Sequence, residues 1–592
     1  MNVAVAAVMT LIGLTAAGGV AAAAPPTAAD VGRLVKASAT RPSVHADRDQ
    51  IDATLLESGV TRDTLQDLWH EVDAAILPGM GSRLDGFLFQ TRDPRWRPLR
   101  DRFAEFLTLT GVEQVTKPVA SRLKHYGGVI SFPDVVDLDA ESARRLRGLG
   151  AEDWGTAVEF PAVRTLSAAT AAAIARCGGL VVFPALRELP ADVAAALARH
   201  EGTGLVLGGF PRLQADAAEA LARCQSMQGL LLPDLESLDS ISLARRLSAQ
   251  DSVFLPRIAR LTPEVAEALR GNDGGMLALP GLKELPIDVA RLLVGSGYYG
   301  ITLGGAATLD RDTAAVLAGQ PGPLTFTGTS CPSPDVARSL DAHAGELIFA
   351  HVRGLPADVA TALGGSDHLL VLPGVTRLDA ADAATLTPVG PLALPGLSSL
   401  DAAAAQPLAA HRHMLQLGGL RTLSSAAARE LAAHPGDLML SGLTSLDAAT
   451  AAALAPCRGH LHLDAVVRLE PAAAAALLAR DGPLSISGLQ ATTQLDSVEL
   501  ARLIASRIDD PVLPLVTAID GPDAVAIAKA VAASRGVVSL PGLERITSRA
   551  LAALLQRADL EIPAVADLEV VPDGDGGADD YAVPEQRPRA VP

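Results

Sequence analysis

The chain has 592 residues; 49% are apolar but only 3% are aromatic, and 53 glycines and 40 prolines accompany an excess of alanine and leucine. That composition can fill a large core, and it suits short helices and tight turns repeated many times better than several unrelated globular domains. A formal net charge of −18 keeps the surface soluble and repels nucleic acid and anionic lipid headgroups, so neither is an expected partner.

Val3 to Ala24 form one apolar, small-residue stretch ending in Ala21-Ala22-Ala23-Ala24 before Pro25-Pro26. It reads as a secretory signal peptide over 1–24, although no Lys or Arg precedes it. An uncleaved anchor is the alternative, because about 20 apolar residues can span a bilayer. No later stretch is long and apolar enough, so no membrane insertion is expected once the signal is removed. Residues 25–106 follow a different pattern. Asp52–Glu57 and Thr64–Val72 read as amphipathic helices, and Trp69 and Trp96 lie here. This segment is expected to be a small helical domain capping the solenoid described next, with a function of its own as the alternative.

From 107 to 570 the sequence repeats about every 23 residues. The segments from Leu392, Leu415 and Leu438 read LALPGLSSLDAAAAQPL, LQLGGLRTLSSAAAREL and LMLSGLTSLDAATAAAL. L-x-L alternates with period two and predicts a short strand. Pro-Gly or Gly-Gly then turns the chain. A polar residue such as Thr116, Asp139, Asp239, Asp310, Asp401, Asp447, Asp496 or Asp520 is placed to cap the helix that follows. Pro263 and Pro334 sit just inside two of those helices, where proline is tolerated. The helical alanine and leucine three apart share one face. First strand positions fall at Leu107, Ile130, Val158, Val181, Leu205, Leu230, Val253 and onward to Leu484. Three weaker units begin near Val512, Val538 and Leu560.

One strand, one turn and one helix cannot bury a core alone, but stacked copies can. The pattern resembles the leucine-rich-repeat family, whose units run 20–29 residues. It is similar to irregular, alanine-rich repeat proteins exported by bacteria. The resemblance implies an α/β fold: a right-handed solenoid of about twenty units, parallel sheet on one side and short helices on the other. It departs from the family at one place. Where Asn or Cys is usual, this chain has Leu235, Leu282, Leu397, Leu420 and Leu443, so an asparagine ladder is absent and its hydrogen bonds must be met otherwise. Residues 571–592 are polar, acidic and rich in Pro and Gly, and are expected to be a disordered tail.

Cys177, Cys224 and Cys457 occupy the same helix-end position in different repeats. Repeats two apart are separated by roughly 20 Å if packed helices are about 10 Å apart, while a disulfide needs Cα atoms within about 7 Å. These three, with Cys331, are expected to be free thiols.

Chemistry-bearing motifs are few. Gly295-Ser-Gly297-Tyr-Tyr-Gly300 matches G-x-G-x-x-G but follows a helix and precedes a strand, the reverse of a dinucleotide site. His460, His462 and Asp464 share one strand face, with Asp437 on the neighbouring strand. They could ligate a metal or form an ordinary polar patch. No cofactor is expected, and no nucleophile–base constellation points to an enzyme. The residue between the two strand leucines faces outward. Val182, Val206, Leu231 and Phe254, followed by Ala278, Thr302 and Thr325, form a row whose first four members make an apolar stripe. Such a stripe marks a contact site, lies under the N-terminal domain or the tail, or reflects a slipped register at Leu230–Leu232. The expected role is a secreted, periplasmic or cell-surface scaffold that binds a protein or peptide through its exposed sheet face. The alternatives are a structural component of the cell envelope and an enzyme with an unrecognised site.

Overall fold

The computed structural model describes residues 27–38, 106–124, 126–150, 156–226, 229–271 and 274–573. The two predicted helices of the N-terminal segment, both of its tryptophans, the apolar stretch before Ala24 and nearly all of the acidic tail lie outside them. Two compact units, Met1–Val352 and Arg353–Pro592, divide the chain. Each is an α/β solenoid of strand–turn–helix repeats of leucine-rich-repeat type.

In the first unit the strands pair in parallel, and the first strand residues align one on another. Leu107, Ile130, Val158, Val181, Leu205 and Leu230 form one ladder. Val253, Leu277, Ile301, Leu324 and Leu347 form the next. In the second unit Leu370, Leu392, Leu415, Leu438, Leu461 and Leu484 do the same. This is the register the repeat spacing predicts, and it includes Leu230 without a slip. Side chains alternate across a strand, so the aligned residues and those two further on all point inward and are buried. Where the second inward residue is aromatic the rings stack along the axis: Phe132 on Phe160 at 5.4 Å and Phe160 on Phe183 at 5.3 Å.

One weak repeat departs from expectation. Val512 pairs with Ser539, not Val538. Leu513 is therefore the buried inward residue, and Val512 is 41% exposed. A one-residue slip exchanges the two faces of a strand. Pro511, which has no N–H to offer a ladder, and Asp510, at φ 50°, precede it.

Many of the turns close with the N–H of the turn leucine donating to the carbonyl three residues back, as in Leu397 to Leu394, Leu420 to Leu417 and Leu443 to Leu440. Main-chain bonds thus do part of what an asparagine ladder would do. The preceding glycine is needed for close approach. A Cβ on Gly396 would lie 2.0 Å from the Pro373 carbonyl oxygen. Helices then start as expected at Asp139, Ser167, Asp310, Asp401 and Asp447, whose side chains accept from the first helical turn. Three caps fall elsewhere. Ser240 and Ser497 cap in place of Asp239 and Asp496. Asp523, rather than Asp520, occupies the cap position of its repeat, without a side-chain bond. Thr116 occupies its position without a capping bond.

Further repeat-to-repeat bonds run through a polar side chain just past several of the helices. In the first unit the ring nitrogens of His200 lie 3.2 Å from the Ala175 carbonyl and 3.1 Å from that of Gly179, one repeat back. Gln320 donates to Tyr298 O at 3.0 Å. In the second unit His411 Nε2 lies 2.9 Å from Gly390 O. Arg480 donates to the carbonyls of Cys457 and Gly459, Arg507 to that of Arg480, and Arg557 to those of Ala532 and Ser534. Carbonyls left over at helix ends are costly when buried, and these side chains satisfy them. All four cysteines are free, with Cys331 half-buried and the other three buried at such helix ends.

At the N-terminal end the helix Ala28–Ser38 lies on the first repeat, with Val31 fully buried and Gly32 beside the Arg122 side chain.

Candidate functional site

The residues of the outward row are aligned strand on strand. Val182 pairs with Val206 and Val206 with Leu231, and Phe254 pairs with Ala278. The ladder stops between Leu231 and Val253, yet Leu231 still packs against Phe254 and Ala278. The row is less accessible than an exposed sheet face implies. Val206 is 2% exposed, Phe254 9% and Ala278 1%, while Val182 and Leu231 are half-buried. In the first unit these side chains form a packed floor with only its shoulders open. Thr302 and Thr325, further along the row, are buried as well.

In the second unit the row runs Val371, Ala393, Gln416, Met439, His462, Ser485. Its first two members are buried and the last four half-exposed. His460 stacks on His462 with ring centroids 3.9 Å apart. His462 Nδ1 is 3.5 Å from Asp464 Oδ2. Burial, then the neighbouring imidazole of His462, hold His460 below the usual histidine range. The carboxylates here are engaged by protein donors. Asp437 accepts from the His460 N–H at 3.0 Å, and Asp464 accepts from both Ser485 and Ser487. Among the described residues no group of three such ligands is arranged to hold a metal. The four residues form a hydrogen-bonded polar patch.

The glycine motif lies where its reversed order placed it, between the helix Ile287–Leu293 and the strand Gly300–Leu303. Gly295 and Gly297 take positive φ, and the Tyr298 hydroxyl donates to Leu269 O at 2.7 Å. The motif is a repeat link. Sequence reasoning missed a groove of about 590 Å³ at the helix ends of the first unit, rimmed by Arg147, Arg176 and Arg199 over an alanine floor that includes Cys177. Burial pushes the Cys177 thiol up to about 11, so it is neutral and unreactive there. The recurrence of arginine one or two residues past the last helix leucine was the available signal.

Among the described residues no helix is long and apolar enough to cross a membrane.

No protein-family model and no curated protein matches the chain. Solved structures similar to it include a leucine-rich-repeat protein of Leptospira interrogans, at 15% identity over 62% of this chain and 90% of that one, with a TM-score of 0.29. An internalin of Listeria monocytogenes is 13% identical over 58% and 88%, at 0.24. A Drosophila Toll–Spatzle complex is 15% identical over 60% and 53%, at 0.31. The chain is a leucine-rich-repeat-like solenoid protein on its own register, turns and helix starts.

Proposed function

We propose that this is a non-enzymatic scaffold that binds a protein or peptide on its outward sheet face. One contrast carries the reading. In the second unit the inward positions Leu370, Leu392, Leu415, Leu438 and Leu461 are all leucine and fully buried. The adjacent outward positions hold Val371, Ala393, Gln416, Met439, His462 and Ser485, no two alike. Packing demands explain the first series. A face shaped to match a partner accounts for the second, since stacked repeats offer extended surfaces of this kind. Gln416, Met439, His462 and Ser485 are the proposed contacts there, and Val182 and Leu231 in the first unit, with Val206 and Phe254 as the floor between them. The apolar stretch before Ala24 supports export to a secreted, periplasmic or cell-surface location.

The test is cross-linking capture from cell-surface and secreted fractions, using the chain from Ala24 onward. Beside it runs a Gln416→Arg/Met439→Arg variant with an unchanged melting curve. A partner that cross-links to the face of the parent and is lost from the variant supports the scaffold. Capture of nothing but further copies of the chain sinks it in favour of a self-assembling envelope component.

A further inference from the structure

We propose that the helix-end edge of the first unit, from Arg147 to Arg223, binds a short acidic peptide segment of a partner protein. Four successive repeats each place one exposed arginine there: Arg147, Arg176, Arg199 and Arg223. They directly follow the helices Ala140–Arg145, Ala168–Ile174, Ala191–Leu197 and Ala215–Leu221. The first three rim the groove, where Glu201 is the only carboxylate among the described lining residues.

A simpler explanation is that a cation suits the negative end of a helix. Other helices of the same chain dispense with one. After Leu317 come Ala318 and Gly319, after Leu408 Ala409 and Ala410, and after Leu431 Ala432 and Ala433. Helix ends therefore do not require an arginine, and where other repeats carry one it is engaged: Arg270 pairs with Glu267, and Arg480 and Arg557 donate to carbonyls of the preceding repeat. Other exposed arginines of this unit find carboxylates. Arg144 lies 3.5 Å from Glu141, Arg260 3.1 Å from Glu284 and Arg338 2.7 Å from Asp335. Among the described residues the side chains of Arg147, Arg176, Arg199 and Arg223 have no ion pair and no hydrogen bond. Among the described residues nothing competes with a ligand for their donors.

Charge decides what kind of ligand fits. Guanidinium groups pair carboxylates two bonds at a time. The chain as a whole carries −18, so a long polyanion is repelled by everything beyond the groove. A short peptide feels mainly charges within the Debye length of about 8 Å, and among the described lining residues the arginines outnumber Glu201. An extended peptide presents alternate side chains on one side, about 7 Å apart, and long arginine side chains on helices about 10 Å apart can reach carboxylates at that spacing. The neutral alanine floor sets no charge against its backbone. This edge is on the helix side and is distinct from the sheet face proposed above, so either can fail without the other.

The experiment is rhodamine-labelled (Glu-Ala)4 peptide titrated with the full chain and followed by anisotropy, with (Gln-Ala)4 and a 12-mer of single-stranded DNA as comparisons. Binding of (Glu-Ala)4 is expected with Kd on the order of 10–100 µM in 50 mM salt, weakening about fivefold or more in 300 mM. The double variant R176E/R199E is expected to weaken it about tenfold or more, and R412E/R421E, two exposed arginines of the other unit, by less than about twofold. Three results would each overturn the proposal: affinity unchanged in R176E/R199E, (Gln-Ala)4 binding as well as (Glu-Ala)4, or DNA binding more tightly than either peptide.

Discussion

The outward rows of the two units are built on the same backbone and differ in what they offer. In the first, Val206, Phe254 and Ala278 are closed in among their neighbours. In the second, Gln416, Met439, His462 and Ser485 stand half open. Inward positions show no such difference, since Leu205, Leu277, Leu415 and Leu438 are all fully buried. The repeat therefore constrains the core side of a strand and leaves the other side free to diverge, and function is expected where it diverges.

The sharpest test of that asymmetry sets adjacent residues against each other. Leu415→Ala is expected to cost about 3 kcal/mol, while Gln416→Ala, one residue on, should stay within about 0.5 kcal/mol. Urea unfolding with hydrogen exchange across the flanking repeats would show both. Equal costs would mean that the face is as structural as the core.

The helix-end ladder gives the next largest effect. Arg480→Ala strands the carbonyls of Cys457 and Gly459 and should cost about 2 kcal/mol. Loss of exchange protection is expected to centre on that repeat. Arg480→Lys should recover part of it, having donors but no fork.

Where histidine takes the ladder position, stability should depend on pH. Burial holds His200, His343, His411 and His434 below the usual range. In the pH window below the unfolded value of about 6.5, the unfolded chain binds more protons than the native one. The stabilisation is complete above that value and is lost as pH falls through it towards the folded values. The melting temperature should accordingly drop between pH 7.5 and 5.5, and His200→Gln with His434→Gln should flatten the profile. A parent that melts higher at pH 5.5 would show that the paired carbonyls around His200 and His411 outweigh burial. Smallest of all, Asp447→Ala removes a cap and should cost about 1 kcal/mol, read as a shift in the urea midpoint.

Much of this was legible in the sequence. The spacing of leucines placed every strand from Leu107 to Leu484 in its observed register, because period-two alternation and a buried face together admit one pairing. Caps at Asp139, Ser167 and Asp447 followed from residue type. The slips were local. Asp239 and Ser240 are both good caps, as are Asp496 and Ser497, and only the path of the chain chose between them. Val512 and Leu513 are both apolar, and the chain about Asp510 and Pro511 set which one entered the core.

For the candidate sites the division is different. Alternation fixed which residues face outward, since backbone geometry settles that without reference to neighbours. How far Val206 and Phe254 are enclosed depends on what stands beside them in other repeats, which no single strand records. The same holds for the ladder and the groove. His200, Gln320 and Arg480 look unrelated in the sequence, and Arg147, Arg176 and Arg199 are some 23 to 29 residues apart. Stacking brings each set into line, because a solenoid turns distance along the chain into adjacency between repeats.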